Sequence, residues 1–428
     1  MIIVGLTGNA ASGKSTVARA WAQAGIPVVD ADQLARRAVA PGTEGLGRVV
    51  EVFGPGVLDA GGELDRAALR GIVLADATAR QRLEEIVHPE VDRLRRLWLD
   101  ERRGEGETLV VVEVPLLFEV GLDAHVHQTV VVRTPEASQR ERLIERGLDP
   151  DDVRRLREAQ MAPDEQVARA DHVIENDGPP IALRRAAAEL LGTLLAPVGR
   201  PVATGPAMVL DLHLHTVGSW DSLSDPEALL ARAADVGIDR LAMTDHNELR
   251  VAKAMAERHP DRVIPGEEVK TAEGIDVIGL YLDEKIPKGT PAAETIERIR
   301  DQGGIPYLPH PFARGKGGGG RYVDELAPLV DVVEVFNARL HPASLNDPTG
   351  PVVARYGRLV SAGSDAHTVR EIGNVHLRVP AHANRPEELR RALARATWRG
   401  REASRLVHLG STWAKLRKKL PVAPTFDR

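Results

Sequence analysis

Met1-Ile-Ile-Val-Gly-Leu-Thr7 runs straight into Gly8-Asn-Ala-Ala-Ser-Gly13-Lys14-Ser15-Thr16. A short apolar run of strand character feeds a loop with glycine at its first and sixth places, then lysine and serine, then the helical pattern STVARAWAQAG. Every fixed position of the phosphate-loop pattern is filled. The glycines let backbone N–H groups curl round phosphate oxygens, and the helix start adds partial positive charge. Lys14 is placed to reach the outer phosphates of a nucleotide, and the Ser15 hydroxyl to hold Mg²⁺. Gly8, Ala11, Ser12, Gly13 and Thr16 complete the expected nucleotide loop. The bland alternative, a tight turn matching by chance, is opposed by the strand before the loop and the helix after it.

Outward from this loop, apolar runs (IPVVD, LVVVEV, TVVVR, HVIEN) alternate with helical patterns. Such alternation predicts a parallel sheet with helices on both faces and ligands beyond the strand ends. The pattern stops at PVGRPVATGP, Pro197 to Pro206, where proline and glycine favour an irregular connector. At 428 residues the chain is too long for one core, since cores stop growing near ~250–300 residues. The expected division is 1–196, a linker 197–207, a second domain 208–409, and a basic tail 410–428 that includes KLRKKL.

Hydrophobic residues make up 43% and charged residues 28%, ordinary values for a soluble globular protein. A net charge of −6 exerts no general pull on nucleic acid or anionic membrane. Aromatics at 3% supply no stacking stripe, so no nucleic-acid partner is expected. Cysteine is absent, which removes disulfides, thiolate zinc sites and cysteine nucleophiles and agrees with a reducing cytoplasm. The start lacks the features of a signal peptide, and no run approaches the ~18–20 apolar residues of a membrane helix. The expectation is a cytoplasmic protein without a membrane partner.

Asp30 and Asp32 follow the second strand in VVDADQLARR. With Gly62-Glu-Leu-Asp65-Arg66, His88-Pro89, Glu113-Val-Pro115-Leu-Leu-Phe-Glu119, the stretch Gln139 to Arg146, and Ala170-Asp171 through Asn176 to Gly178, they make residues 1 to about 196 resemble the dephospho-CoA kinase family. That resemblance implies a P-loop kinase fold, a three-layer parallel sheet with a helical lid. It also implies transfer of the ATP γ-phosphoryl group, with Mg²⁺, to the ribose 3′-hydroxyl of dephospho-CoA, the last step of CoA biosynthesis. Under it Asp32 and Lys14 are catalytic, Asp32 as the base, and Arg142 and Arg146 close over the ATP phosphates. Read as residues alone, Asp32 is equally a helix N-cap worth about 1 kcal/mol, and the two arginines, four apart on a predicted helix, equally a solvated charged face. Gly147 and Leu156 depart from the family pattern, where an acidic residue and an arginine are expected. Pro89 reads as a helix interruption. The alternative acceptor is another small nucleotide-like molecule.

Of 14 histidines, 10 lie beyond the connector, and histidine is the usual nitrogen ligand of metals. There, apolar strands repeatedly end in metal-binding residues. VLDLHLH carries His213 and His215, LAMTDH Asp245 and His246, and VIPGEE Glu267 and Glu268. IPYLPHP carries His310, DVVEVFN Glu334 and Asn337, and LVSAGSDAH Asp365 and His367. Any one pair reads equally well as surface histidines or a cap; the series does not. A closed barrel would bring all these strand ends to one mouth.

Asp211-Leu-His213-Leu-His215-Thr, Thr244-Asp245-His246-Asn247, Gly266-Glu-Glu268, His310-Pro311 and Gly363-Ser-Asp365-Ala-His367 resemble the PHP family, from about Met208 to Leu409. That implies a distorted (β/α)7 barrel with two or three divalent metals, Zn, Mn or Fe. His213, His215, Glu268 and Asp365 would surround one ion. Glu268 would bridge to a second on His310, with Asn337 a weaker ligand and His341 its substitute. His246, His367 and Asp221 would hold a third. The implied chemistry is hydrolysis of a small phosphate ester, which Arg314 and Lys316 reach unless their loop is merely solvated. The alternatives are a nuclease-like phosphodiesterase and a non-catalytic metal-binding module.

Overall fold

The computed structural model describes residues 1–158, 160–314, 317–405 and 407–418. Lys316 and residues 419–428 of the expected tail lie outside them. Two compact units divide the chain: Met1–Arg19 with Pro27–Pro179, and Ala20–Ile26 with Pro180–Arg428. Backbone from 196 to 206 is irregular.

In the first unit, strands β1 (Ile2–Thr7), β2 (Val28–Asp30), β3 (Leu109–Glu113), β4 (Gln128–Arg133) and β5 (His172–Glu175) form a wholly parallel sheet. Its order is β2-β3-β1-β4-β5. Val4, Leu6, Val110, Val111 and Val112 are buried, as the continuous apolar runs of a doubly covered sheet require. Earlier strands lie on one side of β1 and later ones on the other, so the crevice beyond Thr7 is the topological switch point. One expectation fails here. Helix Ala77–Gly104 runs through Pro89 without interruption; within so long a helix the single backbone bond that proline forfeits is not enough to end it.

The second unit holds β6 (Ala207–Leu214), β7 (Arg240–His246), β8 (Val263–Lys270), β9 (Asp276–Leu280), β10 (Ile305–Leu308), β11 (Val332–Asn337), β12 (Leu359–Gly363), β13 (Val375–Pro380) and β14 (Thr397–Gly400). Strands β6 to β12 pair in sequence order, and β13 and β14 continue the sheet beyond β6. The chain just past β12 closes the ring. Asp365 N donates to His213 O at 2.8 Å and His215 N to Ala366 O at 2.8 Å. The result is a seven-stranded barrel, distorted because β9 runs antiparallel to both its neighbours. Alternation divides the core in two. Leu212, Ala242, Ile264, Ile278 and Tyr307 pack together, while Leu241, Met243, Val263 and Val277 pack with residues of the helices Pro226–Asp235, Arg250–Arg258 and Ala292–Asp301. Register shifts within Asp211–Leu214 and Glu334–Phe336 are bulges of the kind that re-aim side chains beside a site.

Candidate active sites

At the end of β1, Gly8 has φ 140°, and a Cβ there would sit 2.3 Å from Val132 O; only glycine permits this turn. Gly13 (φ 104°) and Ala11 (φ 58°) also lie at positive φ. The buried Lys14 ammonium donates to Gly8 O at 2.6 Å and Asn9 O at 3.1 Å. Burial lowers its pKa, while Glu113 and Asp32 pull the other way. Ser15 Oγ donates to Glu113 Oε1 at 3.0 Å. Glu113 itself is raised by burial, against the Ser15 hydrogen bond.

The N-cap of the helix Ala31–Ala38 is Asp30, whose Oδ1 accepts from Asp32 N at 2.8 Å. Asp32 is therefore not the cap and its carboxylate is left for other work. Burial, then the neighbouring Asp30, raises its pKa. The loop is braced from outside. Gln139 Nε2 donates to Ala10 O at 2.8 Å, Gln160 Oε1 accepts from Ala10 N at 3.0 Å, and Asn176 Nδ2 donates to Ser12 O at 2.7 Å. Arg142 Nη1 reaches Ala11 O at 3.3 Å, and Arg146, at the end of helix Glu136–Glu145, lies near enough for its charge to depress Lys14.

At the barrel mouth Glu268 is central. Its Oε2 lies 2.7 Å from His246 Nδ1, 3.4 Å from His215 Nε2 and 3.7 Å from His213 Nε2, and its Oε1 3.0 Å from His310 Nε2. Asp365 Oδ1 is 3.2 Å from His215 Nε2 and 3.7 Å from His213 Nε2. Asp221 Oδ1 is 3.4 Å from His367 Nε2 and 3.7 Å from His246 Nε2. Among the described residues, four triads place one donor atom from each member within 4.8 Å of the others: His215/His246/His367, His213/His310/Asp365, His213/His215/Glu268 and Glu268/Asp276/His310.

Hydrogen bonds behind the site set the tautomers. His213 Nδ1 meets Glu334 Oε1 at 3.0 Å, and His367 Nδ1 meets Asp365 O at 2.8 Å. Both partners only accept, so in the neutral ring each Nδ1 carries the proton and Nε2 is the atom left to face a cation. Ser219 Oγ donates to Asp245 Oδ1 at 2.8 Å, so towards His215 Nδ1, at 3.0 Å, it acts as acceptor. That again frees Nε2.

His213 Nε2, His215 Nε2 and Asp221 Oδ1 are buried without hydrogen-bond partners, an arrangement costly unless a cation sits among them. The residues fit divalent metals, and imidazole with carboxylate suits Zn, Mn or Fe. Proton affinities within the cluster diverge. Burial lowers the His215 pKa, helped by His367 and His246, to about 3. Burial also depresses His246, but Glu268 outweighs it and holds the ring at about 9. Burial opposes ionisation of Glu268, yet His246 and the other rings hold it well below the carboxylate range. His310 (φ 28°) and Asp365 (φ 52°) sit at positive φ, strain of the kind found at functional sites.

A cleft of about 760 Å³ opens over these ligands, and its walls include Lys270, Lys288, Arg314, Arg339 and Lys415. So many cations about a metal centre suit an anionic substrate.

Residues 2–180 match the family model for dephospho-CoA kinase. The dephospho-CoA kinase of Anaeromyxobacter dehalogenans is 45% identical over 207 residues, 48% of this chain and 98% of that one. The chain belongs to the dephospho-CoA kinase family. Residues 211–300 match the PHP domain model and 346–397 the PHP-associated model, so a PHP domain follows the kinase. TT1252 from Thermus thermophilus is 40% identical in its crystal structure, covering 45% of this chain and 97% of that one with a TM-score of 0.40. A two-domain protein from Bacteroides vulgatus, described as containing a predicted PHP-like metal-dependent phosphoesterase, is 17% identical, covering 50% of this chain and 74% of that one at a TM-score of 0.38.

In the kinase, Gly8, Ala11, Ser12, Gly13, Lys14, Ser15 and Thr16 form one loop-to-helix turn, with Asp32 and Arg146 close enough to act on Lys14. Glu113 was legible only as part of a motif; its pairing with Ser15 needed the β1–β3 register. In the PHP domain His213, His215, Asp221, His246, Glu268, His310, Asp365 and His367 come together. Asn337 stands beside them and braces the site: its Oδ1 accepts from Arg339 N at 2.9 Å, and its Nδ2 donates to Glu334 Oε2 at 3.0 Å and reaches Asp365 Oδ2 at 3.4 Å. His341 lines the cleft but enters none of the triads. Asp276 is an addition. It begins a strand rather than ending one, so a search of strand ends passes over it.

Gly363 tests this packing. A Cβ there would lie 2.3 Å from Glu334 Oε1 and 2.6 Å from His213 Cβ. Gly363→Ala is expected to cost about 1–3 kcal/mol of stability and, by displacing the Glu334–His213 bond, about 10–100-fold in metal affinity. Thermal unfolding and a metal titration check both; unchanged metal affinity would mean that Glu334 does not orient His213.

Proposed function

We propose that the chain makes CoA from dephospho-CoA and ATP in its first unit and hydrolyses a small phosphate monoester in its second. For the kinase, the observation that carries the reading is Lys14, buried in the loop with its ammonium resting on Gly8 O and Asn9 O. Phosphate oxygens would take over those contacts when ATP binds. Ser15, supported by Glu113, would hold Mg²⁺, and Arg142 and Arg146 would neutralise charge on the phosphates. Asp32, freed from capping by Asp30, accepts the proton of the acceptor hydroxyl or orients it. Asp32→Asn should lower turnover about a hundredfold or more with little change in ATP affinity. Steady-state kinetics with dephospho-CoA test this, and an unchanged turnover number would remove Asp32 from the chemistry.

For the PHP domain, the supporting observation is the set of bare Nε2 and carboxylate donors around Glu268, under a cleft rimmed by cations. Divalent ions there supply a nucleophile at neutral pH and neutralise charge on the ester. His213, His215, Glu268 and Asp365 would hold one ion, Glu268 and His310 a second, and His246, His367 and Asp221 a third. Glu334, Ser219 and Asp245 hold the rings in register. Metal analysis of the purified chain with a phosphatase panel of histidinol phosphate, adenosine 3′,5′-bisphosphate and CoA tests the reading. Two or three bound ions and hydrolysis of at least one ester are expected. Bound metal without turnover on any of them would favour the non-catalytic module.

A further inference from the structure

The described part of the expected basic tail, residues 410–418, belongs to the second unit. Residues Val407–Arg417 form a helix, and His408, Ser411, Thr412 and Lys415 line the cleft over the metal ligands. Three hydrogen bonds pin the helix and the residue after it there. Arg339 Nη2 donates to Ser411 Oγ at 2.9 Å. Lys418 Nζ donates to Val217 O at 2.5 Å and to Ser219 O. That loop also carries Asp221 and the serine that sets the His215 tautomer.

Lys415 is different. Its ammonium lies 4.4 Å from the Trp220 ring centroid and 4.0 Å from Asp221 Oδ2, too far for a hydrogen bond to that carboxylate. Trp220 in turn lies 5.9 Å from His246. The lysine stem is thus steadied on an aromatic face, with its charge turned towards the ligand cluster. Among the described residues Asp221 is the carboxylate within 4.0 Å of Lys415; once it serves a cation, the lysine is left without a full counter-charge there.

The geometry points to Lys415 as the phosphate-binding arm of the PHP site, donating to a phosphoryl oxygen of the bound ester. The C-terminal helix is then part of the active site. This rests on the phosphoesterase reading for the substrate's identity, but only on a metal-loaded site for the binding of phosphate.

Inorganic phosphate is the probe, titrated by calorimetry into the metal-loaded full chain carrying Lys14→Ala, which disables the kinase loop's own anion site. Lys415→Met keeps the stem over Trp220 and removes the charge. It should weaken phosphate binding at least tenfold, the size of a charge-assisted hydrogen bond, with metal content and melting temperature unchanged. Lys415→Arg should recover most of the affinity. For p-nitrophenyl phosphate the same loss should appear in KM rather than kcat. Phosphate affinity within twofold of the parent, no phosphate binding by the parent, or metal lost along with affinity would each overturn the assignment. Lys415-dependent phosphate binding without hydrolysis of any ester would leave the arm standing and sink the hydrolase reading. Hydrolysis with an unaltered KM in Lys415→Met would do the reverse.

Discussion

Lys14→Ala will lower CoA formation about a thousandfold, roughly 4 kcal/mol of barrier, while hydrolysis by the PHP domain persists. The lysine is the buried cation of the loop, and the charge that develops on the transferring phosphoryl group has no equivalent donor at that point. Alanine also leaves Gly8 O and Asn9 O without their donor, so ATP affinity should fall with turnover. The retained phosphatase activity and a far-ultraviolet spectrum like the parent's serve as controls for folding. CoA formation within tenfold of the parent would show that the loop does not bind the transferred phosphate.

Glu268→Gln will have the second large effect. The carboxylate lies within 3.7 Å of nitrogens on His213, His215, His246 and His310, so under the proposed reading it would serve more than one ion. An amide keeps the shape but replaces a charged donor by a neutral one and presents an N–H₂ towards cations or ring nitrogens. At least one equivalent of metal should be lost, with phosphatase turnover down about a thousandfold, again roughly 4 kcal/mol. The kinase should be unaffected. Inductively coupled plasma analysis of the dialysed protein, beside a steady-state assay, reads both. A full metal complement in the variant would displace Glu268 from the bridging role and leave Asp365, which touches His213 and His215, as the organising carboxylate.

Much of this protein is written locally in the chain. The loop Gly8–Ser15 is legible from its own glycines, the strand before it and the helix after it, all within a few residues; its bracing by Gln139, Gln160 and Asn176 is not. The candidate ligands at the barrel mouth stand out in the sequence for a similar reason. An apolar run with period two announces a buried strand, and a histidine or carboxylate at its end has no apolar reason to be there. What remained hidden depends on the folded backbone, either at a single turn or between partners far along the sequence. That Asp30 rather than Asp32 caps its helix is decided by backbone angles at that turn. Glu113 meets Ser15 only because β3 pairs with β1.

The same distinction holds within the PHP domain. Composition and strand-end spacing suffice for the ligand types and for a barrel that gathers them. Closure of the ring through His213 and Asp365, the proton positions set by Glu334 and Ser219, and the diversion of Asn337 to bracing are tertiary. So are the recruitment of Asp276 from a strand start and the placing of Lys415 over Trp220. A period reports which face is buried, whereas a ligand's role depends on which atoms of residues far apart in the chain come within bonding distance, and that distance exists only once the chain has folded.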